Sequence, residues 1–297
     1  MARLLRACLL QTESLPHKLD AVNFKMNIDA LLLNFFRLAR HLPPPIQQDF
    51  YWWLFCRPFT HGRDPEHLRF LSEGKPFFVP CEPGYLLPGW VFGRSGPTVV
   101  LCHGWQGSAA SWHVLVPKLL EAGFRVITYN APGHHSRPRR SSLVDFSNGL
   151  RQVVETFGTD YLVGHSLGAM TVAREAAGIP GLKRVALYSV PDELSVLGRN
   201  YCRRMEMSPA AESQFLDRLS RHTPDGLAQE SVTRYLADFD GTVLLLHDQD
   251  DSVIPFSNSE LLSERYKLEM IRTSGLGHRQ IIRDPELADR VVAFLQR

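Results

Sequence analysis

The segment with the clearest chemical potential is the pentapeptide GHSLG, from Gly164 to Gly168. A chain of this length contains the pattern G-x-S-x-G by chance roughly one time in ten, so its position matters more than its letters. It lies between a predicted strand, Tyr161–Val163, and a predicted helix, Leu167–Ala177. The two glycines permit a sharp turn that holds the serine hydroxyl clear of the sheet. We therefore predict that Ser166 is a nucleophile.

A serine hydroxyl becomes reactive when a base accepts its proton and an acid orients that base. His278 lies in a predicted glycine-containing loop between the last strand and the closing helix. Asp251 follows the hydrophobic run Thr242–Leu246, and an acid at the carboxyl end of such a strand points into the catalytic edge of a parallel sheet. Both groups that a serine nucleophile needs are therefore available later in the chain.

Four segments, in this order, resemble the α/β-hydrolase superfamily, within its esterase, lipase and thioesterase-like members. They are HGWQG at 103–107, NAPGH at 130–134, GHSLG at 164–168 and DDSVIP at 250–255. The likeness extends from about residue 86 to residue 297. It implies the order of nucleophile, acid and base that Ser166, Asp251 and His278 follow along the chain.

The resemblance also bears on which acid orients the histidine. In the family this acid stands four residues after a strand-ending histidine and four before a proline, which implies Asp251. Asp250 and Asp248 are close alternatives. Asp192 is a further one, because some members carry the acid after the preceding strand.

An oxyanion hole is implied in the same way. The residue after His-Gly and the residue after the nucleophile would supply its backbone N–H groups, which here are Trp105 and Leu167. The indole of Trp105 either forms part of the pocket wall or packs internally, and His103 and His165 are further candidates for the substrate pocket. The histidines near this edge show no metal-ligand spacing, and the chemistry requires no organic cofactor, so we expect neither.

The segment 130–136, NAPGHHS, departs from the family pattern. The family more often has an aspartate first and a glycine where His135 stands, which affects the shape of the loop more than the chemistry. A basic cluster follows, formed by Arg137, Arg139 and Arg140. We interpret it as a solvated loop rather than a clamp for an anionic substrate.

The fold class predicted for the chain is α/β, with a mostly parallel central sheet and helices on both faces. Short β-rich runs alternate with helical segments over 76–191 and again over 240–297, which we assign to the α/β-hydrolase core. Two details of this prediction are a helix over 111–122 and a strand over 267–271.

Two segments stand outside this alternation. Residues 192–239 have helical patterns alone, and the resemblance implies that they form a cap over the active site. Their apolar residues favour an acyl or aromatic group in the substrate: Leu194, Val196, Leu197, Phe215 and Leu216. Residues 1–75 are assigned to an N-terminal helical extension, with a helical stripe over 27–42 and an aromatic run, Tyr51–Trp53, that we expect to pack on the core.

Composition excludes several other classes of protein. The 297 residues are 44% hydrophobic and 22% charged, typical of a globular protein with a large core. The formal net charge of +2, without any block of like charge, argues against a nucleic-acid partner. Five scattered cysteines without a C-x-x-C pair, no cleavable export signal and no apolar run of the ~18 residues that span a bilayer predict a cytoplasmic protein.

These features together predict a serine hydrolase that cleaves a carboxylic ester or related acyl bond of a small, apolar molecule through an acyl-enzyme on Ser166. Thioesterase or acyltransferase chemistry on the same three residues stays open. So does a catalytically retired protein that binds a ligand or partner, since a fold alone does not guarantee activity.

Overall fold

A computed structural model of the chain describes residues 43–58, 65–82, 85–134 and 139–297. The predicted helical stripe over 27–42 lies outside the described residues, as do His135 and Arg137. The chain divides into two compact units, residues 1–47 and 48–297. Of the first unit the structure describes only residues 43–47, where the first helix of the described ranges begins.

Eight strands within the described ranges form one sheet in the order β1-β2-β4-β3-β5-β6-β7-β8. Their bounds are β1 Lys75–Glu82, β2 Tyr85–Phe92, β3 Thr98–Cys102, β4 Arg125–Tyr129, β5 Tyr161–His165, β6 Arg184–Tyr188, β7 Thr242–Asp248 and β8 Glu269–Thr273. The pairs β1–β2 and β2–β4 are antiparallel, and the other five pairs are parallel. The predicted mostly parallel α/β sheet is therefore confirmed.

The helices of the described ranges are, in chain order, α1 Pro44–Phe55, α2 Pro65–Ser72, α3 Leu115–Glu121, α4 Leu143–Phe157, α5 Leu167–Ala176, α6 Leu194–Arg204, α7 Pro209–Arg221, α8 Val232–Tyr235, α9 Ser257–Tyr266, α10 Gly277–Gln280 and α11 Pro285–Gln296. No helix in these ranges combines the length and the apolar character needed to cross a membrane.

The two central strands β3 and β5 are buried at every position. Strands that are covered on both faces are continuous hydrophobic runs rather than alternating ones, which is why the sequence predicts them as parallel. Because side chains alternate along a strand, Val99 and Leu101 join the core shared with α3 and α11, while Val100 faces the opposite layer. Strands β3 and β5 therefore lie between two packed layers, and so does the carboxyl end of β5 at His165.

Two predicted elements have different bounds in the structure. The helix predicted over 111–122 is a short 3-10 segment, Ala109–Trp112, followed by α3. Pro117 lacks a backbone N–H, and by starting at Leu115 the α-helix places it in the first turn, where no such donor is needed. The strand predicted over 267–271 is Glu269–Thr273, because Lys267 ends α9 with a left-handed φ of 55°.

The segment 192–239, here called the helical insertion, leaves the sheet after β6 and returns at β7, and it contains α6, α7 and α8. Its two ends are tied together by Asp192. The carboxylate of Asp192 accepts hydrogen bonds from the backbone N–H of Thr233 at 2.8 Å and from the hydroxyl of Ser231 at 3.0 Å. The backbone carbonyl of Asp192 accepts the N–H of Val232 at 2.8 Å. The start of the insertion is therefore hydrogen-bonded to the segment 231–233 near its end, and we call this contact the closed base of the insertion.

The aromatic run of α1 packs against the helical insertion. Tyr51 and Trp52 are buried, and the Trp52 and Phe55 rings lie 5.8 Å and 5.1 Å from the ring of Phe215 in α7. The hydroxyl of Tyr201 in α6 donates a hydrogen bond to the Tyr51 carbonyl at 2.9 Å. The run is packed, as expected, but its partners include the insertion helices.

Candidate active site

Ser166 occupies a strained turn between β5 and α5. Its φ of 54° and ψ of −122° lie in a region that side-chain-bearing residues rarely adopt. The turn is held because the N–H of Ser166 donates to the Tyr188 carbonyl at 2.9 Å, while its own carbonyl accepts the N–H groups of Ala169 and Met170. The hydroxyl is thereby carried at the carboxyl edge of the sheet, at the N-terminus of α5.

The glycines at 164 and 168 are required by close backbone contacts. A Cβ atom on Gly168 would lie 2.3 Å from the carbonyl oxygen of Cys102 in β3, and one on Gly164 would lie 2.5 Å from the Gly168 carbonyl. Neither distance is possible for a real side chain. The spacing of the pentapeptide therefore follows from the packing of α5 against the sheet.

The structure brings Ser166, His278 and Asp251 together. Nε2 of His278 lies 3.0 Å from Oγ of Ser166, and Nδ1 lies 2.8 Å from Oδ2 of Asp251. The Asp251 side chain is fully buried and the His278 side chain is 11% exposed. With its proton on Nδ1 and donated to the carboxylate, the imidazole presents Nε2 as an acceptor for the serine proton.

The Asp251 carboxylate is held as an anion. Its Oδ1 accepts the N–H groups of Val253 and Ile254 at 2.8 Å and 2.9 Å, and Oδ2 lies 3.4 Å from Nε2 of the buried His247. Burial acts to raise the pKa of this carboxyl, but hydrogen bonds from His247, His278 and Ile254 outweigh it and hold the pKa well below the usual range. An ionised carboxylate is thus fixed beside Nδ1 of His278.

The alternative acids contact other groups. Asp248 accepts the Thr273 hydroxyl at 2.7 Å and the N–H of Leu276 at 3.1 Å, and Asp250 accepts the N–H of Gly275 at 2.7 Å. Asp192 closes the helical insertion, as described above. The carboxylate in hydrogen-bond contact with His278, within the described ranges, is that of Asp251.

The segment that carries His278 is helical rather than the loop that the sequence predicts. Gly277–Gln280 forms the single turn α10. Asp250 and Asp248 accept the N–H groups of Gly275 and Leu276, the two residues before this turn. The two acidic neighbours of Asp251 therefore shape the backbone that leads into His278.

The loop after β3 passes close to Ser166. A Cβ atom on Gly104 would lie 3.0 Å from Cβ of Ser166, so the glycine permits this approach. In the part of the chain that the structure describes, the N–H groups of Trp105 and Leu167 donate to no acceptor. The two predicted oxyanion donors are thus unpaired, but their role stays a prediction.

His103 orients the backbone of this loop. Its Nδ1 donates to the Gly104 carbonyl at 2.7 Å and its Nε2 accepts the N–H of Ala131 at 2.9 Å. Burial, with a smaller contribution from the neighbouring His134, lowers the pKa of His103 to about 3. The ring is thus neutral and fully used in backbone contacts, and a pocket role for it stays a prediction.

His134 contacts the loop after β3, a role that no motif in the sequence predicts. Its Nε2 accepts the N–H of Gln106 at 3.1 Å and its Nδ1 donates to the Pro132 carbonyl at 3.0 Å. Gln106 has a φ of 60°, and the Trp105 indole meets the His134 ring edge to face at 5.1 Å. Burial lowers the pKa of His134 to about 4, which keeps Nε2 an acceptor. The matching NAPGH segment was a signal, but the partner lies 28 residues away.

His165, the other pocket candidate, is buried and directly precedes Ser166 in the chain. Its Nε2 lies 2.8 Å from the backbone carbonyl oxygen of His278.

Arg139, from the basic cluster, lies with its guanidinium 4.7 Å over the ring of Tyr85. Across the described ranges, no group of three or more His, Cys, Asp or Glu side chains is arranged as a set of metal ligands.

Comparison with known proteins agrees with this architecture. Residues 97–187 match a family model described as the alpha/beta hydrolase fold. Methylesterase 9 of Arabidopsis thaliana is 34% identical over 96 residues, which cover 30% of this chain and 38% of the relative. Esterase YjfP of Escherichia coli is 27% identical over 227 residues, 68% of this chain and 88% of the relative.

A solved esterase from Pyrococcus furiosus superposes with a TM-score of 0.60 at 21% identity, covering 81% of this chain and 95% of the esterase. At that identity the likeness concerns the fold. Several curated relatives that are 31% to 36% identical are matched over only 13% to 40% of their own length. Taken with the fold and the family model, these matches show that the chain belongs to the α/β-hydrolase superfamily.

Proposed function

We propose that this protein is a serine hydrolase that cleaves a carboxylic ester or a related acyl bond. The observation that carries the proposal is the continuous contact from Asp251 through His278 to Ser166, at 2.8 Å and 3.0 Å. A buried carboxylate, an imidazole with a free acceptor nitrogen and a hydroxyl on a strained turn are the three parts that acyl transfer to serine requires. The named esterases among the relatives favour an ester over other acyl bonds.

In the first half of the proposed reaction, Oγ of Ser166 attacks the acyl carbonyl carbon while Nε2 of His278 takes the hydroxyl proton. The carbonyl electron pair moves onto its oxygen, where the N–H groups of Trp105 and Leu167 would stabilise it. As that pair returns, the bond to the leaving alkoxide breaks, and the imidazolium gives its proton to the departing alcohol. An acyl-enzyme on Ser166 remains.

The second half repeats these steps with water. Nε2 of His278 takes a proton from water as the water oxygen attacks the acyl carbon. The intermediate then collapses, which releases the carboxylic acid and returns the proton to Ser166. Asp251 keeps the imidazole in the required tautomer and stabilises its charged form throughout. The complete reaction consumes one water molecule and returns Ser166 and His278 to their starting protonation states.

We further propose that the helical insertion is the cap that sets the size of the substrate, over a core formed by 76–191 and 240–297, with 1–75 as an N-terminal extension. Support comes from the tie at Asp192 and Thr233, which gives the insertion a closed base next to β6 and β7. Its half-buried residues Val196, Leu197 and Leu216 favour an apolar acyl group.

A fluorophosphonate probe tests the nucleophile directly, because it phosphonylates an activated serine without knowledge of the substrate. We expect stoichiometric labelling of the wild-type protein, none of Ser166→Ala, and unchanged labelling of Ser274→Ala, a matched control at an exposed serine. If no labelling depends on Ser166, the proposed hydrolase activity is wrong and the alternative of a ligand- or partner-binding protein is favoured.

A panel of p-nitrophenyl esters with acyl chains from acetyl to dodecanoyl then tests the bond and the pocket. We expect kcat/KM to vary by at least tenfold along the series, with a preference for apolar chains. Adding an acceptor alcohol separates hydrolysis from acyl transfer: hydrolysis continues to yield the free acid, whereas an acyltransferase yields the new ester.

A further inference from the structure

His165 precedes the nucleophile in the chain and contacts the residue that would activate it. Nε2 of His165 lies 2.8 Å from the backbone carbonyl oxygen of His278, 113 residues away in the sequence. The two rings lie 4.8 Å apart. His165 ends β5, whereas His278 lies in the single turn α10, so this contact joins two elements that the chain itself does not join.

The chemistry of the contact defines its direction. A carbonyl oxygen only accepts, so Nε2 of His165 must carry a proton and donate it. Burial, followed by the nearby His278, lowers the pKa of His165 to about 3; Asp251 and Arg279 are the other charged groups that act on the ring. At neutral pH the ring is therefore uncharged, with its single proton on Nε2.

The carbonyl that receives this hydrogen bond belongs to His278 itself. The Asp248 and Asp250 contacts hold the residues before α10, at Leu276 and Gly275. The His165 contact acts at His278, where it restrains the backbone from which the imidazole projects. His165 directly precedes Ser166 in the chain. The same contact therefore fixes the position of the His278 imidazole relative to the Ser166 hydroxyl.

We propose that His165 is a positioning residue that holds the imidazole of His278 against Ser166 through its Nε2–H···O=C hydrogen bond. The proposal rests on the function given above and deepens it. A displacement of a catalytic group by about 1 Å lowers a rate by as much as 100-fold, so the loss of this bond is expected to affect the chemical step rather than substrate binding.

Two substitutions separate the hydrogen bond from the space that the ring fills. His165→Leu removes the donor and keeps a side chain of comparable bulk, whereas His165→Gln places an amide N–H at a similar reach. We expect the rate of Ser166 phosphonylation and the kcat on a p-nitrophenyl ester to fall about 10-fold to 100-fold in His165→Leu, with KM within about threefold. His165→Gln is expected to recover most of the loss.

Hydrogen–deuterium exchange of peptides covering residues 275–283 provides a measurement that does not depend on activity. We expect faster exchange there in His165→Leu than in the wild type and His165→Gln, with unchanged exchange in α4. Wild-type exchange in His165→Leu, or an equal loss of rate in both variants, would overturn the positioning role. If the wild type lacks Ser166-dependent labelling, the proposed function fails, while the exchange measurement still decides whether His165 holds α10.

Discussion

Oδ2 of Asp251 lies 2.8 Å from Nδ1 of His278, on a carboxylate whose side chain is fully buried. Because Oδ1 of the same carboxylate is held by the N–H groups of Val253 and Ile254, the carboxylate cannot turn away from the imidazole. The three neighbouring acids therefore have different contacts: Asp248 and Asp250 accept backbone N–H groups before α10, and Asp251 contacts the imidazole of His278.

The first prediction concerns Asp251→Asn. An amide cannot stabilise the imidazolium and favours the wrong tautomer of His278, so we expect kcat to fall by about 10³–10⁴ while the protein stays folded. Hydrolysis of a p-nitrophenyl ester and the rate of fluorophosphonate labelling measure the effect. Asp250→Asn is the matched control and should retain activity within about threefold. A loss as large as that of Asp251→Asn would indicate that Asp250 is the acid that orients His278.

The second prediction concerns acid stability. Burial lowers the pKa values of His103, His134 and His165 to about 3, about 4 and about 3, below the value of about 6.5 in an unfolded chain. The unfolded state therefore binds more protons below pH ~6.5, and the stability present above that pH is lost as the pH falls toward 4. One proton corresponds to at most about 1.4 kcal/mol per pH unit.

Removing one of these histidines should reduce this loss. We expect the decline in unfolding free energy between pH 6 and pH 5 to be smaller in His134→Gln than in the wild type by about 1 kcal/mol. Urea unfolding at pH 8, 7, 6 and 5 measures it, and the difference between the two proteins should be constant from pH 8 to pH 7. Parallel curves down to pH 5 would contradict a neutral, buried His134.

The third prediction concerns the loop that carries Trp105. His134 accepts the N–H of Gln106, the residue that follows Trp105, and so restrains the peptide next to the proposed oxyanion donor. His134→Leu removes the acceptor, and we expect kcat to fall about 10-fold to 100-fold, less than the loss of a whole oxyanion donor. His134→Gln keeps an acceptor oxygen and should retain most of the activity. Equal kcat in the wild type and His134→Leu would exclude the effect.

The fourth prediction concerns the packing of α5. In Gly168→Ala the new Cβ would lie 2.3 Å from the Cys102 carbonyl, so the helix must move away from β3. We expect a loss of about 1–3 kcal/mol or more in unfolding free energy, together with the loss of Ser166 labelling. Gly178→Ala is the control, because its Cβ would meet no atom closer than 3.5 Å; similar behaviour of the two variants would refute the steric argument.

The fifth prediction concerns the base of the helical insertion. Asp192→Ala removes the acceptor for Ser231 and for the N–H of Thr233, so we expect faster limited proteolysis within residues 205–230. Labelling of Ser166 by a small fluorophosphonate should stay within about threefold, because Asp192 lies outside the contacts of His278. Protection from proteolysis equal to that of the wild type would show that the tie does not hold the insertion.

Much of the architecture is predictable because it depends on local pattern. Buried parallel strands such as β3 and β5 are continuous apolar runs, and a strand-turn-helix with two glycines predicts the sharp turn at Ser166. The helix caps Ser208 and Asp284 are equally local, since each side chain accepts an N–H three residues later in the chain.

Local pattern was insufficient where a distant residue decides the conformation. The segment around His278 has the glycines of a loop, but the carboxylates of Asp248 and Asp250 bind the residues before it and it forms the turn α10. The aromatic run of α1 is predictably buried, yet its contact with Phe215 in α7 arises from elements far apart in sequence.

The sequence by itself therefore determined the fold class, the strained turn at Ser166 and the later presence of an acid and a histidine, because these follow from periodicity, glycine spacing and chain order. Only the tertiary structure decided which of the four candidate acids contacts His278, and that His165 donates to the backbone of His278. The physical reason is that a hydrogen bond depends on distance and direction in space. Asp251 and His278 lie 27 residues apart and His165 and His278 lie 113 apart, separations over which no local preference acts.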